Sequence, residues 1–154
     1  MSYYDNTIEF YDGQIHDNNQ RIGECYQRIR KIEDDIEELR RIKKKVQHVD
    51  YAVVSAVDST EKKLNGFPSL IVNPLALLKT SYFSNLFDVV KGNGHTRAKA
   101  GIESAIQKIN VKIHELQGEI ENLKLEIGRC NSNINNINSQ KNLYIAAREN
   151  RKSG

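Results

Sequence analysis

Residues 98–148 read AKAGIESAIQKINVKIHELQGEIENLKLEIGRCNSNINNINSQKNLYIAAR. Along this stretch one set of positions recurs at alternating steps of four and three, which is the spacing of a coiled-coil seam. Twelve of its thirteen positions are apolar or aromatic: Ile102, Ile106, Ile109, Ile113, Leu116, Ile120, Leu123, Ile127, Cys130, Ile134, Ile137, Lys141 and Tyr144. A helix of this length extends roughly 75 Å, at about 1.5 Å per residue. Because so narrow a stripe cannot bury itself, the sequence predicts a second helix lying along it.

The first part of the chain carries a matching seam. Five isoleucines repeat every seven residues, at Ile8, Ile15, Ile22, Ile29 and Ile36. A second set follows three positions behind them, at Tyr11, Asn18, Cys25, Ile32, Leu39 and Val46. A single polar seam residue such as Asn18 usually sets register or partner number. Beyond Leu39 we expect the stripe to depart from the strict repeat and to drift through Ile42, Val46, Val49, Val53 and Val57.

The two seams predict an all-α fold in which both helices belong to one chain. The only prolines lie between the seams, so helices are expected over residues 3–64 and 96–149. Folding near residue 77 brings matching seam positions level, which predicts a long antiparallel two-helix coiled-coil hairpin forming one domain over residues 1–154. Cys25 and Cys130 then lie at similar heights, either as buried free thiols or as a disulfide.

The connector is the most apolar part of the chain. Asn73 followed by Pro74 predicts a short helix over residues 73–91. Its large side chains either cap the hairpin end or form a partner-binding surface, with candidates Leu78, Tyr82, Phe83, Leu86, Phe87 and Val90. Gly92 and Gly94 then supply a turn that tolerates positive φ, and Thr96 is the predicted N-cap of the second helix.

The opposite end of the predicted hairpin is rich in aromatic and amide side chains. Tyr3 and Tyr4 begin the first helix, and six asparagines lie within residues 131–142 of the second. Asparagine is a poor helix former, so we expect this end to be locally less stable. The alternatives are frayed helix ends and a recognition or export tip formed by Tyr3, Tyr4, Tyr144 and Glu149.

Nothing in the sequence indicates a reaction. The four histidines are scattered, the two cysteines lie far apart, and no nucleophile motif is present, so no catalytic residue, metal site or cofactor is predicted. A net charge of +3 from interspersed residues does not predict nucleic-acid binding, and Lys43, Lys44 and Lys45 fit a solvated face. No stretch is long and apolar enough for a membrane. Since the first residues lack a secretory signal, we expect synthesis in the cytoplasm.

The layout resembles that of small helical proteins encoded beside LXG toxins in type VII secretion loci of Gram-positive bacteria, relatives of the WXG-type secreted hairpins. The resemblance is carried by Tyr3 and Tyr4 leading into a heptad helix, and by residues 87–95, FDVVKGNGH, followed by a long isoleucine-rich helix. This arrangement is similar to the turn region and second helix of the YwqH-like branch, with Gly92 or Gly94 in the glycine place and no tryptophan. Glu149 follows Tyr144 one residue later than the acid of that superfamily's export signal.

The resemblance implies a targeting factor or chaperone. Such a protein would bind the helical N-terminal LXG region of a toxin together with a second small helical protein, and would present the complex for export, with its own co-export as a further implication. The alternative from the residues alone is a structural coiled coil that self-associates as a homodimer. Weak nucleic-acid binding through residues 43–45 and the Arg148, Arg151, Lys152 tail is a third hypothesis.

Overall fold

The computed structural model describes residues 3–65, Gly92 and residues 95–153. They form two long α-helices, α1 at Tyr3–Asn65 and α2 at His95–Lys152. No strand occurs among these described residues, so the all-α class is confirmed. The short helix predicted over residues 73–91 lies outside the described residues, and its existence stays a prediction.

The chain divides into two units, and both helices contribute to each. The first unit contains Met1–Ile36 and His114–Gly154, and the second contains Glu37–Ile113. The expectation of a single domain over residues 1–154 stays a prediction.

The core of the first unit is a single stripe on each helix. Its buried side chains are Cys25, Ile29, Ile32 and Ile36 from α1 and Leu116, Ile120, Ile127 and Cys130 from α2. All eight occupy predicted seam positions, because two packed helices can shield only the stripe along which they touch. Outside this stripe, most of the unit's described side chains are exposed or half-buried.

Cross-helix ion pairs give the direction of the two segments in the first unit. Arg21 pairs with Glu126 at 2.5 Å, and seven residues later Arg28 pairs with Glu119 at 3.6 Å. Each step forward on α1 is therefore matched by an equal step back on α2, so the segments run antiparallel here. The helical-hairpin character of the chain rests on this pairing, while the continuation of one register through the connector stays a prediction.

Asn18 lies half-buried in the seam and satisfies its amide locally. Its Nδ2 donates a hydrogen bond to the carbonyl oxygen of Gln14 at 2.8 Å, one turn earlier on the same helix. A seam asparagine specifies register most strongly when it must bond to the partner helix. The local bond gives the Asn18 amide a partner in any register, so it places less constraint on the pairing.

The predicted drift of the α1 seam beyond Leu39 is wrong at Ile42 and Val49, whereas Val46, which also fits the strict repeat, is half-buried. In the second unit Ile42 is 39% exposed and Val49 is 52% exposed, whereas Lys43 and Asp50 are half-buried. The shielded line therefore keeps the strict seven-residue spacing through two charged residues. An uninterrupted helix holds its phase, and a lysine can lay its methylene stem along apolar neighbours while its ammonium group reaches water.

The start of α2 differs from the expected cap. The hydroxyl of Thr96 donates to the carbonyl oxygen of Gly92 at 2.6 Å, whereas an N-cap hydroxyl accepts a bond from a backbone N–H. Thr96 lies inside the first turn of a helix that begins at His95. Gly92 is exposed and has no positive φ, so its backbone here does not require glycine.

Two leucines on α2 test whether the stripe carries the stability. Leu116→Ala removes a side chain that is 8% exposed and should lower the free energy of unfolding by about 2 kcal/mol or more, because it leaves a cavity in the seam. Leu125→Ala, where leucine is 61% exposed, should change it by less than about 0.5 kcal/mol. Urea unfolding followed by circular dichroism measures both. Equal effects of the two substitutions would contradict the assignment of the seam.

Candidate functional site

Five aromatic rings gather in the first unit, where α1 begins and α2 ends. Tyr144 of α2 lies between two tyrosines of α1, with ring centroids 5.7 Å from Tyr11 and 6.4 Å from Tyr4. Tyr3 adjoins Tyr4 at 5.9 Å, and Phe10 adjoins Tyr11 at 5.9 Å. Because Tyr4 and Tyr11 are seven residues apart on α1, the Tyr144 ring of α2 lies between two successive seam rings of α1.

Cations take over the α2 seam beside these rings. Lys141 and Arg148 continue the seam, and they form ion pairs with Asp12 and, at 3.1 Å, with Asp5. The guanidinium carbon of Arg151 lies 5.9 Å from the centroid of the Tyr4 ring, within cation–π range. Isoleucine packing thus gives way here to aromatic and charge contacts, which are individually weaker when exposed to water.

Two neighbouring tyrosines change the acidity of the Tyr144 hydroxyl. The pKa of Tyr144 is raised above its ordinary value of 10.0, first by the phenol of Tyr3 and then by that of Tyr11, with partial burial adding to the effect. A phenolate at Tyr144 is disfavoured by repulsion from phenolate charge at Tyr3 and Tyr11, so the folded protein favours the neutral form of Tyr144.

The two flanks of this end differ in chemistry. Asp5 and Asp12 directly follow Tyr4 and Tyr11, whereas Tyr3 and Phe10 directly precede them. Residues one step before and one step after a given position point to opposite sides of a helix. The ion pairs therefore occupy one flank, and the other flank presents the side chains of Tyr3, 73% exposed, and Phe10, 61% exposed.

Leu143 of α2 lies on the same flank as Phe10. It directly precedes Tyr144 as Phe10 precedes Tyr11, and in an antiparallel pair such equivalent positions share a flank. Arg21 and Glu126 each directly precede a seam isoleucine. Their contact shows that equivalent positions of the two helices share a flank elsewhere in the unit. Leu143 is 71% exposed. We call Tyr3, Phe10 and Leu143 the exposed apolar patch.

The positions between the patch and the seam carry no formal charge. They are occupied by Thr7, Gln14, Gln140 and Ala147. Large exposed apolar side chains framed by uncharged polar groups are typical of surfaces that bind another protein. The patch is therefore the candidate functional site among the described residues.

A second feature of the first unit is a surface cleft of about 470 Å³ beside Cys25, lined on one side by Arg21 and Arg28 and on the other by Glu119 and Glu126. The hydrogen bond from Arg21 lowers the pKa of Glu126, and the same bond raises the pKa of Arg21. Burial, followed by the charge of Glu126, raises the pKa of the Cys25 thiol. The cleft thus holds paired charges around a protonated thiol, which is a poor nucleophile.

The predicted site residues fall into two groups. Tyr3, Tyr4 and Tyr144 are brought together in the aromatic cluster, and Glu149 is exposed on α2 outside it. The connector candidates and one turn glycine lie outside the described residues: Leu78, Tyr82, Phe83, Leu86, Phe87, Val90 and Gly94. Sequence reasoning missed the pairing of Asp5 and Asp12 with α2. The signal was the Tyr-Asp pair repeated after seven residues, opposite cations at the same spacing.

Residues 3–65 and 95–153 contain neither a metal-binding cluster nor a membrane-spanning helix. No cluster of three or more histidine, cysteine or acidic side chains there could hold a metal ion. No helix in this part of the chain has an apolar stretch that could cross a membrane. The basic stretch at residues 40–45 of the second unit is partly neutralised by the acids that precede it, since Arg41 pairs with Glu37 at 2.7 Å and approaches Glu38 at 3.9 Å.

Comparison of this chain with protein-family models, curated proteins and solved structures found no significant match.

The raised pKa of Tyr144 predicts a loss of stability in alkali. A group with a raised folded-state pKa contributes stability that is present below its unfolded value, here about pH 10, and lost as the pH rises through the folded value. The melting temperature of the wild type should therefore fall more steeply above pH 10 than that of Tyr144→Phe. Tyr51→Phe, at a tyrosine that is 72% exposed, is the matched control and should follow the wild type. Parallel profiles for all three proteins would contradict the prediction.

Proposed function

We propose that this protein is a non-enzymatic targeting factor or chaperone that binds the helical N-terminal LXG region of a type VII secretion toxin. It would act in the cytoplasm, together with a second small helical protein, and present the toxin for export, with co-export of the chain itself as part of the proposal. The observation that supports this best is the exposed apolar patch on the narrow helical pair of the first unit.

The spacing of the patch favours a helical partner. Tyr3 and Phe10 are seven residues apart on α1, so they present two apolar groups about 10 Å apart along the helix axis. An amphipathic helix with apolar residues at the same spacing can lie beside them and pack its own apolar stripe against Tyr3 and Phe10. The uncharged positions around the patch favour a partner face without charges, since a charge buried there would lack a counter-ion.

The size of the patch limits how much of the affinity it supplies. Burying one large apolar side chain contributes about 1.5 to 3 kcal/mol, whereas association costs an estimated 4 to 15 kcal/mol in lost freedom and side-chain ordering. Three side chains are therefore too few for a tight complex. The proposal includes the connector residues Leu86 and Phe87 as a second contact with the partner, separate from the patch.

The self-associating coiled coil is the second candidate, and the second unit contains the observation that favours it. Ile42 and Val49 are exposed at a spacing of seven residues, which is the pattern of a seam without a partner. Light scattering on the isolated protein separates the two candidates. A concentration-dependent dimer that is lost in Ile42→Asp would favour self-association over the chaperone proposal.

Co-purification with an LXG region tests the proposed function. Phe10→Asp and Leu143→Asp should each reduce the recovered complex at least tenfold, because each introduces a charge into the apolar interface. Leu125→Asp is the matched control, since that leucine is 61% exposed elsewhere on the same unit and should leave the complex intact. Circular dichroism on each variant checks that the helices still form.

A failure of the wild-type chain to form any complex with LXG regions would remove the toxin-partner proposal. A complex that survives Phe10→Asp and Leu143→Asp but is lost in Leu86→Asp would place the binding surface in the connector and not at the patch.

A further inference from the structure

The chain has two cysteines, 105 positions apart in sequence, and both lie in the core of the first unit. Cys25 is 2% exposed, Cys130 is 8% exposed, and both are free thiols. Each occupies a seam position on its helix, so the two side chains face the same interface from opposite sides.

The register of the first unit is constant over the region that contains them. On one flank, the pairing of Asp5 with Arg148 is followed seven residues later by that of Asp12 with Lys141. On the other flank, the pairing of Arg21 with Glu126 is followed seven residues later by that of Arg28 with Glu119. A contact seen at one heptad is therefore expected at equivalent positions one or two heptads away.

The observed contact between Tyr11 and Tyr144 is the equivalent one. Cys25 lies fourteen residues after Tyr11, and Cys130 lies fourteen residues before Tyr144. Cys25 and Cys130 are thus related by the same register as two rings whose centroids are 5.7 Å apart. Cysteine is also the smallest side chain type in the buried core, so the helices can approach more closely here than at the isoleucine layers.

The electrostatics agree with this proximity. Burial is the first cause of the raised pKa of Cys25, and Cys130 is among the groups whose charge acts on it. Both thiols are shielded from reagents while the two helices are paired. Reaction therefore requires folding from the open chain or a local opening of the pair.

We propose that Cys25 and Cys130 form an intramolecular disulfide that locks α1 to α2 when the chain meets a low-molecular-weight disulfide. The thiolate of one cysteine attacks the small disulfide, forming a mixed disulfide and releasing one small thiolate. The second cysteine thiolate then attacks the protein sulfur of that mixed disulfide and releases the other small thiolate. Two protein thiols are oxidised and one small disulfide is reduced to two thiols, so the exchange balances without a further reactant.

The bond would close a loop that includes the whole second unit, since residues 26–129 lie between the two cysteines. A cross-link between distant residues stabilises mainly by restricting the unfolded chain. This modification is independent of the proposed toxin partner. It predicts that α1 and α2 can separate and pair again under reducing conditions, and that they resist separation under oxidising conditions.

Refolding the full chain in a mixture of reduced and oxidised glutathione tests the proposal without requiring access to buried thiols. We expect a monomer whose intact mass is about 2 Da lower, a peptide pair joining Cys25 to Cys130, and a melting temperature raised by about 5 °C or more that returns on reduction. Two free thiols, two glutathione adducts or a disulfide-linked dimer as the main product would each overturn the proposal.

Moving one cysteine along α2 tests whether register is the cause. In Cys130→Ser with Leu123→Cys, the new pair with Cys25 has the register of Tyr4 and Tyr144, whose centroids are 6.4 Å apart, so the bond should form. In Cys130→Ser with Ile137→Cys, the new cysteine lies a full heptad further from Cys25 along the pair than Cys130 does. This variant should therefore retain two free thiols. Equal closure in both variants would overturn the register on which the proposal rests.

Discussion

The contact of two narrow apolar stripes is the constraint on which the rest of the first unit depends. Each helix offers one seam, and the buried core is limited to four side chains from each. A third layer, which would shield the outer faces, is absent among the described residues. The stability of the first unit therefore depends on a few buried side chains, each of which contributes about 1.5 to 3 kcal/mol.

The seam changes its chemistry along its length, and this change positions the candidate site. Isoleucine and cysteine fill the middle of the first unit, whereas tyrosines and cations fill the end. Tyrosine combines a large apolar ring with a hydroxyl that tolerates water, so it suits a seam that is only half-buried. The ion pairs Asp5–Arg148 and Asp12–Lys141 of that end lie on one flank, and Phe10 and Leu143 lie on the other flank.

The heptad spacing predicted much of the fold. The predicted helices over 3–64 and 96–149 compare with observed helices Tyr3–Asn65 and His95–Lys152, and the buried residues of the first unit are seam residues. The stagger was not predictable, because isoleucine layers pack almost equally well level or offset by half a heptad. The contacts of Tyr144 with both Tyr4 and Tyr11 show the offset arrangement. The candidate patch was not predicted, because the side of the pair on which its residues lie is known only when the position of the other helix is known.

Local chemistry misled the sequence interpretation at Lys43 and Asp50, where the apolar neighbours Ile42 and Val49 looked like better seam residues. Hydrophobicity alone favours burial of Ile42 and Val49, one position before Lys43 and Asp50. A continuous helix instead keeps every seventh residue on the same face, and the lysine side chain can bury its methylene stem there, so the strict repeat is retained. The patch can be recognised only when the exposure of each side chain is known together with the side of the helical pair on which it lies. The partner that the resemblance implies stays a proposal.

The stagger of Tyr144 between two tyrosines of α1 is tested most directly by nuclear Overhauser contacts. Chains with ¹³C-labelled tyrosine, diluted into excess unlabelled chain so that only contacts within one molecule are seen, should show cross-peaks from the Tyr144 ring to the rings of both Tyr4 and Tyr11. Cross-peaks from the Tyr144 ring to neither ring, or cross-peaks that are present in undiluted labelled chain and vanish on this dilution, would contradict the antiparallel pairing within one chain.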